Sequence, residues 1–549
     1  MLIIKKINFF PSFIYMFLLL IIGVFVFNKT FQLALFGDEW QVLYIFKNAV
    51  ATGGQWNFHI SQAVGPGYQI GALMMYLLTE LFGYDGKAVY IFSFITRFLA
   101  ALTLFYFLRK RECSNLASFV GALFFLISPI GLQATDWAKN FTSYISIVFL
   151  LLCIDSIYTL KSWRNILFFL LTFSLSIYVN PIRAPGIILI IPFLLIFQYF
   201  FNRVVDKKNI IFSLFCSIII IFIFSKMFFP GNDIAPAPIE NLLGSIGAAV
   251  LPQPSFYYLS LLIATLLLWK RYLISKKYLL FTLLLHIVTL PLFFGSFLQL
   301  SNNKMFTILG IYFTIFMIYV FIIELSNKKP TEALNTTLPF LLIIPFLVAP
   351  LLRGTLGIDS FHRYMIYSAL SLPIIVAFSI NENLLLGPKE KFFLFFKSRS
   401  VSFCITLLFL VMFYLSLKAE INKMYTGHNQ ATASIIWQQI TPYFNNYDFK
   451  NHSAVAFFDS NIGAIVHDSV TFGFGFHMGY IYKIWISDIN EIYYKTPIAV
   501  DSLADFTSII TDGKASKKYL GKDSNFIFPK EDAFYFKIDG LKVSRIKDY

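Results

Sequence analysis

The sequence predicts a polytopic α-helical membrane protein with about thirteen transmembrane helices and a small α/β domain at its C-terminal end. Of its 549 residues, 58% are hydrophobic and only 13% are charged, whereas soluble globular domains carry roughly 25% charged residues. The apolar residues come in uncharged runs of roughly 17 to 22, the length of a helix that crosses the hydrocarbon layer. Basic residues cluster in every second connection between these runs, which is the positive-inside pattern.

The first apolar run, Pro11 to Phe27, follows Lys5 and Lys6. No small-residue cleavage site comes after it, so we interpret it as a retained signal anchor with a cytoplasmic N-terminus. From that start, the predicted crossings lie near residues 11–28, 88–108, 117–134, 141–160, 165–179, 186–201, 209–229, 256–269, 278–298, 305–325, 337–352, 364–380 and 400–418.

The basic clusters fall on one side of the membrane under this assignment. They are Arg109 to Arg111, Lys161 with Arg164, Arg203 with Lys207 and Lys208, Lys270 to Lys277, Lys328 with Lys329, and Lys389 to Arg399. The formal charge of +15 is therefore explained by membrane orientation, and nucleic acid is not expected as a partner. The predicted location is the cell (plasma or inner) membrane.

Two domains are predicted: a transmembrane domain, 1–418, and an extracytoplasmic soluble α/β domain, 419–549. The first outer loop, 29–87, includes an apolar stretch from Tyr68 to Phe82 that is too short to span and is expected to lie as a helix at the interface. A second outer segment, 230–255, begins with several prolines and is expected to be a loop. Strands are predicted near Ser453, Phe534 and Lys542, and a helix from Ala433 to Tyr443.

Two acidic sites flank apolar runs on the predicted outer face. Asp38 and Glu39 follow the first crossing, between Phe36 and Trp40, and a carboxylate in such surroundings can act as a general base at headgroup height. The alternative is an ordinary solvated pair. Asp136 follows the third crossing, and its alternative role, together with Thr135, is to cap the next helix.

Cations also occur on this outer face, where the positive-inside rule makes them scarce. Arg183, Arg353 and Arg363 are the clearest cases, with His362 beside Arg363 and Lys139 close to Asp136. Arginine binds phosphate oxygens through paired charge-assisted hydrogen bonds, so a phosphate group at headgroup level would explain these residues. Pairing with anionic lipid is the alternative.

The order of these motifs resembles the GT-C superfamily of membrane glycosyltransferases, in particular its bacterial dolichyl-phosphate-mannose-protein mannosyltransferase-like and aminoarabinose-transferase-like branch. The resemblance spans roughly residues 8 to 380: an Asp-Glu pair after the first helix, a second Asp after the third, and a late His-Arg-Tyr followed by Pro373. It implies a GT-C-like fold and transfer, with inversion, of a hexosyl or pentosyl group from a polyprenyl-phosphate donor. The acceptor would be a glycolipid, a polysaccharide or a protein.

The same resemblance implies roles for individual residues. Asp38 would be the catalytic base with Glu39 beside it, and Asp136 would be the second acidic site. Donor phosphate would be bound by Arg363, with help from His362, Arg183, Arg353 and Lys139. No cofactor or metal ligand is expected, because the first loop has no Asp-x-Asp pair. The sequence leaves open whether the protein binds a divalent metal.

The sequence is also compatible with two other functions. A lipid-linked polysaccharide polymerase or ligase would share the helices and the outer arginines but would not need the Asp-Glu pair. A transporter or flippase would need charged or broken helices near the bilayer midplane. Most crossings have an uncharged interior, and Arg97 is the exception that is hardest to explain.

Overall fold

The structure is a computed structural model. It describes residues 9–36, 39, 43, 69–83, 85–201, 206–228, 236–252, 301–326, 330–380, 399–444, 455–460, 498–499, 514–515, 526–527 and 533–546.

The described elements, in chain order, are mostly helices followed by short strands. The helices are α1 (Phe9–Val26), α2 (Gln69–Phe82), α3 (Lys87–Lys110), α4 (Asn115–Leu126), α5 (Gln133–Asp136), α6 (Thr142–Ile157), α7 (Trp163–Tyr178), α8 (Ala184–Phe201), α9 (Lys207–Phe228), α10 (Ile239–Ala248), α11 (Asn302–Ser326), α12 (Pro330–Leu341), α13 (Ile344–Leu352), α14 (Ser371–Ile380), α15 (Arg399–His428) and α16 (Gln430–Ile440). The strands are β1 (Val455–Ser460), β2 (Ile498–Ala499), β3 (Lys514–Ala515), β4 (Phe526–Ile527), β5 (Ala533–Asp539) and β6 (Lys542–Ile546).

Every predicted crossing within the described ranges overlaps a helix, and the crossings at 256–269 and 278–298 lie outside those ranges. Among the described residues, four helical stretches are long and apolar enough to cross a membrane: Lys87–Lys110, Ala138–Ile157, Pro181–Phe201 and Lys207–Phe224. Side chains of α9 such as Phe222 and Ile223 are 79% and 65% exposed. Such apolar exposure on a helix is suited to contact with lipid. The chain is thus a mostly helical protein with apolar helices of membrane-spanning character.

Some predicted crossings are interrupted in the structure. The crossing at 117–134 ends as α4 at Leu126, and the chain then turns through Pro129 and Gly131, which has φ +72°. The crossing at 337–352 divides into α12 and α13 around Leu342 and Ile343, close to Pro339 and Pro345. Proline removes a helical hydrogen bond and glycine permits positive φ, which explains both interruptions.

Residues 1–27 and 93–420 form one compact unit. Within it, α4 packs against α1 and α14, α6 packs against α7, and α8 packs against α9 and α13. The segment 230–255, expected to be a loop, contains α10 after Pro238, and α10 packs against α11. A carbon atom added at Gly247 would come within 2.1 Å of the Phe306 carbonyl oxygen. The two helices therefore touch backbone to backbone.

Residues 28–92 and 421–549 form the second compact unit. Its main sheet has the order β2-β1-β5-β6, with β1 parallel to β2 and β5, and β5 antiparallel to β6. Helix α16 joins this sheet through Gln439, whose side chain donates to the Leu541 carbonyl at 2.7 Å and accepts from the Val543 amide at 3.0 Å. The strands and the helix predicted near the C-terminal end are present, whereas the predicted domain boundary at 418/419 stays a prediction.

Candidate functional site

Two loops of the first unit pair with each other and hold most of the candidate residues. The first follows α4 and contains α5, and the second connects α13 to α14. The Gly131 amide donates to the Ser360 carbonyl at 2.7 Å, and the Gln133 amide donates to the Phe361 carbonyl at 3.0 Å. The Gln133 side-chain oxygen then accepts from the Arg363 amide at 3.4 Å. These bonds place the Asp136 segment beside the Arg363 segment.

Gly131 allows the two loops to approach each other. Its φ of +72° favours glycine, and a carbon atom added there would lie 2.6 Å from Ile366 Cα. Any other residue would meet backbone at this point, so the pairing of the loops depends on this glycine.

Helix α10 also holds the second loop, through hydrogen bonds of its own. The Asn241 side chain donates to the Leu356 carbonyl at 2.6 Å, and the Ser245 hydroxyl donates to the Gly357 carbonyl at 3.3 Å. The Ser360 hydroxyl, in the loop, donates to the carbonyl oxygens of Ala248 and Leu251, at and just after the end of α10, at 2.9 and 2.6 Å. The loop that carries Arg363 is therefore held by side-chain hydrogen bonds as well as by its pairing with the first loop.

Five side chains form what we call the cation–aromatic cluster: Arg183, Tyr364, Arg363, Trp137 and Lys139. The guanidinium carbon of Arg183 lies 3.9 Å from the centre of the Tyr364 ring. That of Arg363 lies 5.5 Å from the same ring and 4.5 Å from the Trp137 ring. The Lys139 ammonium lies 5.1 Å from the Trp137 ring. Three cations thus share two aromatic rings, at distances at which cation–π attraction is effective.

The cations of this cluster are largely withdrawn from water. Arg183 is 3% exposed and Lys139 is 8% exposed, while Arg363 is half-buried and its Nε has no hydrogen-bond partner among the described residues. Cation–π contacts offset part of the cost of burial, and two guanidinium groups together with the Lys139 amine in one place favour an anion. The cluster has the charge and the donor groups of an anion-binding site.

Asp136 supplies a carboxylate directly before two residues of the cation–aromatic cluster, Trp137 and Lys139. It ends α5, is 1% exposed and directly precedes Trp137. The expected alternative, that Thr135 and Asp136 cap the following helix, is wrong, because α6 begins after Phe141 and the turn before it begins after Trp137. Lys139 and Asp136 instead lie in two short helical turns between α4 and α6.

His362 begins the turn that contains Arg363. Its Nδ1 accepts a hydrogen bond from the Tyr364 amide at 3.1 Å, and its ring lies 4.5 Å from the Tyr364 ring. Burial, together with the positive charges of Arg363 and Arg183, lowers the pKa of His362 to about 3. His362 is therefore neutral at physiological pH, and its Nε2 carries the proton that could be donated to a ligand.

Arg353 is half-buried directly after α13. The sequence analysis assigns no role to Trp137 or Tyr364, although Trp137 directly follows Asp136 and Tyr364 directly follows Arg363. An aromatic residue adjacent to cations at the end of an apolar run is the signal that would have identified them.

Glu39 belongs to the second unit and is completely buried. Its Oε2 accepts from the Phe36 amide at 3.1 Å and from the Tyr90 hydroxyl at 2.9 Å. The second of these bonds ties Glu39 to α3. Asp38 itself lies outside the described residues. Among the described residues, no group of three or more His, Cys, Asp or Glu side chains could hold a metal ion.

Comparison with known proteins gives matches among solved structures alone. No protein-family model matches the chain, and no curated protein matches it either. The structure of the archaeal oligosaccharyltransferase AglB from Archaeoglobus fulgidus, in complex with an inhibitory peptide and a dolichol-phosphate, matches with 13% identity and a TM-score of 0.42. The match covers 83% of this chain and 64% of that protein, so this chain spans less than two thirds of the archaeal enzyme.

The structure of ArnT from Cupriavidus metallidurans bound to undecaprenyl phosphate matches with 11% identity and a TM-score of 0.39, covering 95% of this chain and 92% of that one. The structure of ArnT in the apo state matches with a TM-score of 0.34. AglB and ArnT are both GT-C glycosyltransferases, the superfamily that the sequence motifs resemble. At these identities and TM-scores, the similarity by itself assigns neither family nor activity to this chain.

Proposed function

We propose that this chain is an inverting glycosyltransferase that moves a hexosyl or pentosyl group from a polyprenyl-phosphate donor to an acceptor at the extracytoplasmic face of the membrane. The observation that carries the proposal is the cation–aromatic cluster, with Asp136 beside it and apolar helices around it. A glycosyl donor on a lipid phosphate needs positive charge for the phosphate and an apolar path for the lipid chain. The first unit combines these features.

The cluster is suited to a phosphate that leaves during the reaction. Arginine presents donors that match phosphate oxygens in pairs, and Lys139 adds a compact charge. In surroundings with little water, such charges stabilise a developing anion more strongly than they would in water. The neutral His362 can add a hydrogen bond from Nε2 without adding charge.

The proposed reaction is a single displacement. The acceptor hydroxyl oxygen forms a bond to the anomeric carbon while the bond between that carbon and the phosphate oxygen breaks, which inverts the configuration. The electron pair stays on the lipid phosphate, where the cations stabilise it. The hydroxyl proton passes to a carboxylate, which we assign to Asp38 from the sequence resemblance, with Asp136 as the second acidic site.

Membrane orientation follows from the positions of the basic clusters. With a cytoplasmic N-terminus, the loops that hold Asp136 and Arg363 and the C-terminal residues from 419 onward lie outside. Donor lipid would then reach the cluster by lateral diffusion in the membrane.

Binding of undecaprenyl phosphate to purified protein tests the proposal. The Arg363→Ala variant should bind about 10-fold to 100-fold more weakly, because a hydrogen bond to a charged group contributes about 1.5 to 3 kcal/mol. Arg363→Lys keeps the charge and should recover part of the affinity. The matched control is Arg111→Ala, since Arg111 directly follows the C-terminal end of α3 and stacks on Tyr158 instead of on a ring of the cluster.

Undecaprenol, which lacks the phosphate, provides the second comparison. It should bind weakly to wild type, and Arg363→Ala should leave its binding unchanged. Equal binding of the phosphate and the alcohol would refute an anion site. A polymerase or ligase would share the cluster, but its turnover would survive Asp38→Asn, which separates it from the proposed transferase.

A further inference from the structure

Arg97 is a charged residue that the proposed reaction does not use. It lies within α3, is 1% exposed and is one of the largest fully buried side chains in the part of the chain that the structure describes. Taking a guanidinium out of water is costly unless its protons find acceptors. Among the described residues, none of its hydrogen-bond partners is a carboxylate. Its burial therefore has to be explained by other contacts.

Neutral acceptors surround the guanidinium. One terminal nitrogen donates to the Thr135 hydroxyl at 2.8 Å and to the Tyr144 hydroxyl at 3.2 Å. The other donates to the carbonyl oxygens of Phe125, at 3.3 Å, and Ser128. Phe125 is in the last turn of α4, where free carbonyl groups carry partial negative charge and attract a cation.

An aromatic ring adds to this stabilisation and connects a further helix. The guanidinium carbon lies 4.9 Å from the centre of the Phe27 ring, directly after α1. Arg97 thus contacts the end of α1, the end of α4 and the segment that leads to Asp136. One side chain therefore connects Phe27, the last turn of α4 and the Thr135 segment, which are far apart in the chain.

Thr135 is held from α3 at two points. Besides the bond from Arg97, the Ser93 hydroxyl donates to the Thr135 carbonyl oxygen at 3.0 Å. Ser93 and Arg97 are four residues apart and so lie on the same face of the helix. The residue that follows Thr135 is Asp136, and Trp137 of the cation–aromatic cluster comes next.

We propose that Arg97 is a positioning residue for Asp136. Through Thr135 and the end of α4, it fixes the backbone from Ser128 to Asp136, so that the Asp136 carboxylate and the Trp137 ring keep one orientation. The inference rests on the proposed function, because it assumes that Asp136 acts in sugar transfer. Arg183 lies in a different segment, and the Arg363 loop is held by α10 as well as by Gln133, so Arg97 affects turnover more than phosphate binding.

The Arg97→Gln variant, in full-length protein, tests this by three measurements. Amide hydrogen exchange in residues 128–136 should become about 10-fold faster, equivalent to about 1.4 kcal/mol of lost protection. Turnover should fall about 100-fold, the effect of a misplacement of about 1 Å. Binding of undecaprenyl phosphate should change by less than about 3-fold, which corresponds to well under 1 kcal/mol.

A double-mutant cycle distinguishes positioning from general support of the fold. If Arg97 acts through Asp136, adding Arg97→Gln to Asp136→Asn should cause little further loss of turnover. Arg97→Lys should restore part of the turnover, because one ammonium cannot reach both pairs of acceptors. Arg111→Gln is the control and should leave exchange and turnover unchanged. Turnover is measured as release of undecaprenyl phosphate from a panel of undecaprenyl-phosphate hexoses and pentoses.

Three results would overturn the inference. Additive losses in the double variant would make Arg97 a general structural residue, and unchanged exchange in residues 128–136 would show that Arg97 does not hold that segment. If wild type released no undecaprenyl phosphate while exchange became faster in Arg97→Gln, the proposed function would fail and the inference with it. The absence of wild-type turnover, together with faster exchange, distinguishes this last result from the other two.

Discussion

Replacing Gly131 with alanine should separate the two loops that form the cation–aromatic cluster. At φ +72° an alanine costs about 1 to 2 kcal/mol relative to an ordinary backbone conformation. The added carbon atom would also lie 2.6 Å from Ile366 Cα, and overpacking of this kind costs about 1 to 3 kcal/mol. Together the two effects predict a loss of about 2 to 5 kcal/mol in the free energy of unfolding.

Two other glycines serve as matched controls. An added carbon atom at Gly357, in the second loop, meets nothing within 4 Å, and Gly357 does not have positive φ. Gly540 also has free space around it but has φ +60°. Gly357→Ala should therefore be nearly neutral, and Gly540→Ala should show the backbone cost alone.

The assay combines thermal unfolding with binding of undecaprenyl phosphate. Gly131→Ala should unfold at a lower temperature than either control. It should also bind the lipid phosphate more weakly, because the Arg363 backbone is displaced from Gln133. If Gly131→Ala matched Gly357→Ala in both measurements, the pairing of the loops would not be what holds the anion site.

Other perturbations give further expected outcomes. Asp38→Asn should lower turnover by about 100-fold to 10,000-fold, the usual contribution of a general base. Glu39→Gln should cost less, since an amide oxygen can still accept from Phe36 and Tyr90; equal losses would show that both carboxylates act. Because the pKa of His362 falls from 6.5 to about 3, the unfolded chain takes up this proton first, and stability present above pH 6.5 is lost as pH falls toward 3. His362→Gln should flatten that part of the stability–pH curve, and an unchanged curve would contradict the low pKa. Alkaline phosphatase fused after residue 549 should be active, whereas fluorescence from a cytoplasm-only reporter at that point would contradict an odd number of crossings.

Hydrophobic patterning located the long apolar helices of the described ranges, because a long apolar run has few alternatives to a helix in a membrane. It did not locate the interruptions at Leu126 and Leu342, which depend on local proline and glycine chemistry. It also missed α10, whose Gly244 and Gly247 give it low intrinsic helix propensity. That helix is stabilised by packing against α11, a tertiary contact that a single sequence does not reveal.

The candidate site could be predicted in part. The rarity of cations on the predicted outer face made Arg183 and Arg363 candidates, and the structure places both, with Lys139, around two aromatic rings. The roles of Trp137 and Tyr364 could not be derived, because they depend on two loops that are more than two hundred residues apart in the chain. The sequence marked Arg97 as a charge inside a predicted crossing. It could not show the groups that Arg97 contacts, which include residues at the ends of α1 and α4 and in the segment before Asp136.

The contact between α10 and α11 has a genetic consequence. A carbon atom added at Gly310 would lie 1.7 Å from the Leu243 carbonyl oxygen, so the helices can keep their spacing only if that position stays bare. Because α10 holds the loop of Arg363, a substitution at Gly247 or Gly310 would shift a loop to which neither glycine belongs. A random screen for inactive alleles should therefore recover these two codons alongside those of the cation–aromatic cluster, and shortening a neighbouring side chain should not restore function, because the added carbon atom meets backbone atoms.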